Sequence, residues 1–430
     1  MLRSNLRTFK PRFNGLKRFP LRTYSNYNYN YNYSQPYTRS NWKKWLVGTG
    51  IVSLVGYGVY YIYWPKHTFP SPVATLLRKG LWAESDKGEN DYQLALKYYI
   101  EALEKCNELN MNPLVDEYTG IQLKIGEMFE RLNMIDKALL IYNEIGSLYL
   151  KTLHDKSLKL NNDYRNHLIQ KSLRIGVKLS ELSKDDLNLS KAILIAHSSA
   201  ATVEINNFIN SASPMSKVDL VFLDEYINAI NLLIAINIQL GDFSFAMDKT
   251  LKLYKLMKIS HIEPKKFLLN ICNLGGLSYL QSEIFELKLI NLLKNHNLNP
   301  DIKNVDTSLL ENDKETFDEN LKFFNVYINY ATEVYEFVLS RANELVKPQA
   351  TANNASPLNE EEINDINEII ALSTYSLGVI NLHLKNFDKA ERLLRESRVK
   401  SKSCNYVDLI NEIENELSKL FKERDLTMDK

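Results

Sequence analysis

Two patterns of apolar and polar positions divide the chain. Residues 45–64, WLVGTGIVSLVGYGVYYIYW, contain no charge, and twenty residues at about 1.5 Å of helical rise span about 30 Å, the hydrocarbon thickness of a bilayer. This stretch predicts one transmembrane helix. Trp42, Trp45, Tyr60, Tyr61, Tyr63 and Trp64 stand at its ends, where amphipathic rings suit the interface, Lys43 and Lys44 precede it and Pro65 closes it. After a linker expected over 65–78, marked by Pro65, Pro70 and Pro72, apolar residues recur at helical spacing almost to the C-terminus. Breaks are expected at 211–216, 295–316 and 347–357, where Ser, Pro, Asn and Asp collect.

The helical part repeats itself, which is the most informative feature of the sequence. Tyr92, Ala95, Tyr99 and Ala102 follow one another at offsets of 3, 4 and 3, after Trp82 and Ala83. Ile135, Ala138, Tyr142 and Ile145 carry the same offsets, with Gly126 twelve residues before Ala138. Ile234 and Ala246, with Gly241 between them, share that spacing, and so do Gly378 and Ala390. A further pair is split: Leu274 and Gly275 begin it, and Ala331, Tyr335 and Val338 resume it after a polar insert expected over 284–320. Such a pattern predicts tetratricopeptide-like helix pairs, an A helix then a B helix. Small residues stand where the two cross closest and large ones fill the neighbouring groove. The expected fold is all-α: an irregular tetratricopeptide-like α-solenoid with one N-terminal transmembrane helix. Its parts are repeats 1 and 2 over 79–150, a poorly matching helical pair over 160–210, repeats over 217–346, and a last repeat with a capping helix over 358–423.

Composition narrows the class further. Fifteen Gly and twelve Pro in 430 residues leave too few turn-formers for a many-stranded sandwich or barrel. Cys106, Cys272 and Cys404 lie far apart, without the paired spacing of a zinc site or a disulfide framework. The net charge of +1 hides an asymmetry: the first 44 residues hold ten Lys or Arg and no acid, leaving 43 basic against 52 acidic side chains in the remainder. With Leu2, Leu6, Phe9, Phe13 and Leu16 among the basic residues, 1–24 reads as a mitochondrial transit peptide. The Tyr/Asn run that follows offers no aliphatic residue for a core, so 25–44 is expected to be a disordered matrix segment. The positive-inside rule then leaves the N-terminus in the matrix and the acidic remainder in the intermembrane space. Within the span, Thr49, Ser53 and Gly56 form a small-residue stripe where a second membrane helix could approach.

The stretches 81–106 (LWAESDKGENDYQLALKYYIEALEKC), 123–145 (LKIGEMFERLNMIDKALLIYNEI) and 370–394 (IALSTYSLGVINLHLKNFDKAERLL) resemble a known family. It is that of the fungal tetratricopeptide adaptors of the mitochondrial inner-membrane i-AAA protease, in the "mitochondrial genome required" group. The resemblance implies a non-catalytic adaptor that binds unfolded or misfolded proteins in the intermembrane space. It would pass them to the ATP-driven protease together with a second membrane-anchored adaptor subunit.

A repeat stack turns its A helices toward an extended inner face suited to a bound chain. Counted from the motif positions, Glu127, Glu130, Asn228, Asn231, Tyr279 and Tyr375 are the candidates to line it. No metalloprotease H-E-x-x-H, no phosphate-binding G-x-x-x-x-G-K-[ST] and no G-x-S-x-G elbow occurs. No catalytic residue, metal, cofactor or nucleic-acid partner is therefore expected, and His197 and His383 read as packing or surface residues. The alternative is an anchored import receptor or assembly factor of the outer membrane facing the cytosol; a membrane-anchored enzyme is a third reading with no residue to support it. Arg22-Thr23-Tyr24-Ser25 resembles a matrix processing site with Arg three residues before the cut. N-terminal sequencing of the mature chain is expected to begin at Ser25, and a first residue elsewhere would refute that site.

Overall fold

The computed structural model describes residues 68–155, 157–211, 220–260, 262–298, 302, 309–310, 313–346 and 360–428. The expected transit segment, the Tyr/Asn run, the span at 45–64 with Thr49, Ser53 and Gly56, and most of the expected breaks lie outside these residues. Among the described residues every regular element is a helix and there is no strand, an all-α arrangement consistent with an α-solenoid. No helix among them is long and apolar enough to cross a membrane.

Thirteen helices follow in order among the described residues: α1 (Ser71–Glu84), α2 (Tyr92–Glu108), α3 (Asp116–Arg131), α4 (Ile135–His154), α5 (Asn162–Leu182), α6 (Leu187–Ser211), α7 (Leu223–Gln239), α8 (Phe243–Lys258), α9 (Pro264–Asn295), α10 (Lys314–Val346), α11 (Glu360–His383), α12 (Phe387–Ser403) and α13 (Val407–Met428). They form two compact units, one ending at Lys184 and the other starting at Asp185. The expected pair over 160–210 is thus divided, α5 falling in the first unit and α6 in the second. Within each unit every helix packs on its neighbours in sequence. In the second unit α11 also touches α9 and α13, so that helix is enclosed on several sides.

Two expectations are corrected. In the stretch read as a linker over 65–78, residues from Ser71 on belong to α1, with Pro70 at its N-cap and Pro72 in its first turn, where a residue lacking an N–H loses no hydrogen bond. Both ends of the insert expected over 284–320 are helical: α9 runs on to Asn295 and α10 begins at Lys314. Leu289, Leu293 and Leu310 are buried there, so apolar packing outweighs the polar composition of that stretch.

Helix pairing rests on small residues under large ones. A Cβ added to Gly80 would stand 2.6 Å from the Tyr99 ring, one on Gly126 2.6 Å from Tyr142, one on Gly275 2.9 Å from Tyr335 and one on Gly378 2.9 Å from Leu394. Each large residue lies four positions after a fully buried alanine, Ala95, Ala138, Ala331 or Ala390, and one helical turn puts both on the same face. The α7–α8 pair reverses the sizes. Ile234 stands in the glycine register and Thr250 in the large one, both buried, so a similar total volume is kept by exchanging the sides.

The turns repeat as well. At the ends of α2, α3, α7, α9, α11 and α12 a residue with positive φ follows the helix: Asn110, Asn133, Gly241, Asn297, Lys385 and Asn405. In each case its own N–H donates to the carbonyl three residues back, and the next N–H donates to the carbonyl five residues back. Examples are Asn133 to Glu130 at 2.8 Å with Met134 to Phe129 at 2.8 Å, and Gly241 to Ile238 at 3.1 Å with Asp242 to Asn237 at 2.8 Å. This double bond set satisfies carbonyls that the helix end would otherwise leave open. Aspartates cap some helix starts: Asp91 accepts from the N–H groups of Gln93 and Leu94, and Asp186 from those of Asn188 and Leu189. At 62°, the φ of Lys385 sits in a region that costs an L-residue about 1–2 kcal/mol. Lys385→Gly is expected to raise the thermal midpoint by relieving roughly that strain. Gly241→Ala, whose Cβ would touch nothing, should lower it through the backbone alone, by a stability loss of roughly 1 kcal/mol; shifts of equal sign for the two variants would refute this account.

Candidate functional site

Within each unit, ion pairs and hydrogen bonds join successive A helices. In the first unit α1, α3 and α5 are the A helices. The Glu84 carboxylate at the end of α1 accepts from Tyr99 Oη at 2.8 Å and meets Lys124 Nζ at 3.1 Å and the Arg131 guanidinium at 3.5 Å, both from α3. Glu127, one turn from each cation on α3, accepts from Lys124 at 2.8 Å and Arg131 at 2.9 Å. Further along, Glu130 accepts from Tyr142 Oη at 2.6 Å and pairs with Lys178 of α5 at 2.8 Å. Asp116 at the start of α3 meets Lys171 and, at 3.0 Å, His167 of α5.

The tyrosines connect this polar face to the packing beneath it. Tyr99 and Tyr142 start on B helices, pass over Gly80 and Gly126, and end with their hydroxyls on carboxylates of the A-helix face. Burial, reinforced by those carboxylates, drives both hydroxyls far above the usual phenol range, so each stays a donor. Burial would also raise Glu127, but its bonds to Lys124 and Arg131 prevail and hold its carboxyl below the ordinary 4.5. Lys124 is held above its usual range in the same way, its two carboxylates outweighing the burial that opposes its charge.

In the second unit the ties run between α7, α9 and α11. Asp224 of α7 pairs with Lys266 of α9 at 2.9 Å, and Lys265 of α9 pairs with Asp365 of α11. Nearer the other end of α11, His383 lies between Tyr279 Oη at 2.8 Å and Glu286 at 3.0 Å, both on α9. Burial disfavours the charged imidazole, yet the Glu286 carboxylate prevails and raises its pKa. Cys272 and Ser373 meet at 3.3 Å in the core, where burial pushes the thiol up to about 12 and leaves it without nucleophilic character.

The residues expected on an inner face divide accordingly. Glu127 and Glu130 are half-buried on α3, engaged by the cations just described. Asn228 and Asn231 are half-buried on α7, and the buried Asn231 Oδ1 has no hydrogen-bond partner. Tyr279 and Tyr375 have almost no accessible surface, at 1% and 0%. The structure places those two in the core between helices, because α11 is packed from several sides and no open face remains for them. Among the repeat positions, Ala95, Tyr99, Ala102, Gly126, Ala138, Tyr142, Ala246, Gly378 and Ala390 are buried, Tyr92 is half-buried and Gly241 occupies its turn. Trp82 is 58% exposed, although it was expected to be a packing residue, because α1 turns Ala83 and Gly80 inward instead. Periodicity missed Glu84, Lys124, Arg131 and Lys178. The charge spacing Lys124, Glu127, Arg131 at helical offsets of three and four was the available signal.

Pairs of helices whose first members are tied to one another make this an all-α protein of the helical-repeat kind. Residues 157–219, covering the division between α5 and α6, match the family model described as the MGR3 middle domain. Two proteins of Saccharomyces cerevisiae are similar along most of the chain. One, named Protein MRG3-like, is 29% identical over 429 residues, covering 89% of this chain and 89% of its own. The other, named mitochondrial inner membrane i-AAA protease supercomplex subunit MGR3, is 27% identical over 423 residues, covering 85% of this chain and 81% of its own. A solved circular tandem repeat protein matches with a TM-score of 0.24 at 12% identity, covering 89% of this chain and 94% of that one, too slight a likeness to bear on the fold. These similarities to proteins named MRG3-like and MGR3 agree with the resemblance read from 81–106, 123–145 and 370–394.

The lowered pKa of Glu127 fixes the sign of a pH effect. Its contribution to stability is fully present above 4.5 and is lost as the pH falls through the folded-state value beneath that. Acid titration of thermal stability is expected to show a decline below about pH 4.5 that Glu127→Gln makes shallower. A decline of the same steepness in the variant would remove Glu127 from the account.

Proposed function

We propose that this chain is a non-catalytic adaptor of the mitochondrial inner membrane, held by the span expected at 45–64. Its N-terminus would lie in the matrix and its helical pairs in the intermembrane space. There it binds unfolded or misfolded proteins and delivers them to the i-AAA protease, alongside a second membrane-anchored adaptor subunit. The observation that carries the reading is similarity over 85% of this chain to a protein named as a subunit of the i-AAA protease supercomplex. The order of parts in the sequence, a basic segment, one span and then repeats, is what such an adaptor needs.

The chemistry of the A-helix faces supports the reading in part. The cations that pair with Glu127 and Glu130, namely Lys124, Arg131 and Lys178, are 36–40% exposed, so a client's acidic groups can reach them, and ion pairs at a surface are worth only about 0–1 kcal/mol. A client chain could therefore be held weakly and released. Glu127, Glu130, Asn228 and Asn231 remain the proposed contacts of that kind.

Solubilisation of mitochondria in mild detergent is expected to recover a AAA protease together with this chain. In intact mitochondria the helical pairs should resist added protease and become sensitive once the outer membrane is ruptured. Digestion in intact mitochondria would favour the outer-membrane receptor instead, and recovery of the chain without any AAA protease would sink the adaptor reading.

A further inference from the structure

The 33-residue helix α10 has two apolar faces. Phe324, Ile328, Ala331, Tyr335 and Val338 are packed in the core of the second unit. On the other side Phe323, Val326, Tyr330 and Phe337 are 38%, 53%, 40% and 52% exposed. One buried face is enough to hold a helix in a fold, so the second calls for its own reason.

Phe323, Tyr330 and Phe337 recur every seven residues, an interval after which an α-helix returns to within about 20° of the same direction. They form one line about 21 Å long with Val326 beside it. Phe285 of α9 widens the line, its ring centroid 5.1 Å from that of Phe323. The face carries more acid than base, four glutamates against Arg341 and Lys288. At about 100° per residue, Glu315, Glu319, Glu333 and Glu344 all fall within roughly 60° of the line on the Val326 side, so the acid lies along one border, with Lys322 just beyond it. Arg341, in the same sector, is engaged by Glu344 at 2.7 Å, and Lys288 lies over Phe285 at 4.6 Å on one border.

A period of seven suits a helix laid alongside, whereas an extended chain repeats its side chains every two residues. A second copy of α10 laid antiparallel would bring glutamates against glutamates, which like-charge repulsion opposes. We propose that the outer face of α10 docks an amphipathic helix of another polypeptide, its apolar seam bordered by Lys and Arg. The proposal rests on the adaptor reading and gives it a class of partner, basic amphipathic helices of about two to three heptads.

The test uses the full chain in phosphatidylcholine nanodiscs and a fluorescein-labelled 18-residue peptide with Leu at heptad a and d positions and Lys elsewhere. Anisotropy titration against empty nanodiscs gives the affinity, and an analogue with Glu for Lys tests the charge. The Lys peptide is expected to bind more tightly than the Glu analogue. Tyr330→Ser with Phe337→Ser should weaken it by about tenfold or more. Val399→Ser, at an exposed apolar residue of α12, should leave it unchanged. Glu319→Lys with Glu333→Lys should shift preference toward the Glu analogue. All these positions are exposed, and unchanged far-UV circular dichroism confirms that the fold is kept. Equal binding of the two peptides, no binding of either, or parental affinity after the Tyr330 and Phe337 changes overturns the proposal. Such a result with AAA-protease recovery intact leaves the adaptor reading standing; α10-dependent binding without that recovery does the reverse.

Discussion

The close crossing of helices at a residue without a side chain is the constraint on which the rest depends. Where Gly126 meets Tyr142, or Gly275 meets Tyr335, there is no room for a Cβ unless the ring moves. The ring is itself walled in by neighbours, Tyr142 being 3% and Tyr335 1% exposed. A dense interior transmits such a displacement instead of absorbing it. The distance between the two helices of a pair is therefore set at one point, and the alanine a turn earlier on the B helix keeps the approach close along the crossing.

Polar chemistry follows from that spacing. Only because Tyr99 and Tyr142 can pass over a glycine do their hydroxyls emerge among the carboxylates of the A helices. There Glu84 and Glu130 are also the groups that reach the next A helix. Packing within a pair and attachment between pairs thus share the same side chains. In the second unit the same role passes to Tyr279, His383 and Glu286. There the tyrosine is spent on the interior, which is why it offers nothing to a ligand.

Much of the pairing was legible because its signal is local. Glycine and alanine twelve residues apart define a hairpin whatever surrounds it, and Ala331, Tyr335 and Val338 carried enough of the pattern to identify α10 as the partner of Gly275 across a long gap. Exposure was not legible in the same way. The motif tells which side of α11 faces its own B helix, but not that α9 and α13 cover further sides, so Tyr375 looked available and is enclosed. Contacts such as Glu84 with Lys124, forty residues apart, depend on stacking that no periodicity encodes. Proline misled for another reason: its place in a first turn and its place in a linker look alike until the following residues are seen to be helical.

The recurring asparagine-capped turn has a consequence for how such chains diversify. The joints after α2, α3, α7, α9, α11 and α12 close with the same backbone bonds whichever pair they serve, so the identity of a pair resides in its crossing and not in its hinge. Length can drift inside a hairpin without disturbing its partners, as between α9 and α10, where the segment from 296 to 313 separates two helices that still meet at Gly275. Such joints are where insertions and deletions among relatives should accumulate, leaving the crossings as the slow-changing record of common descent.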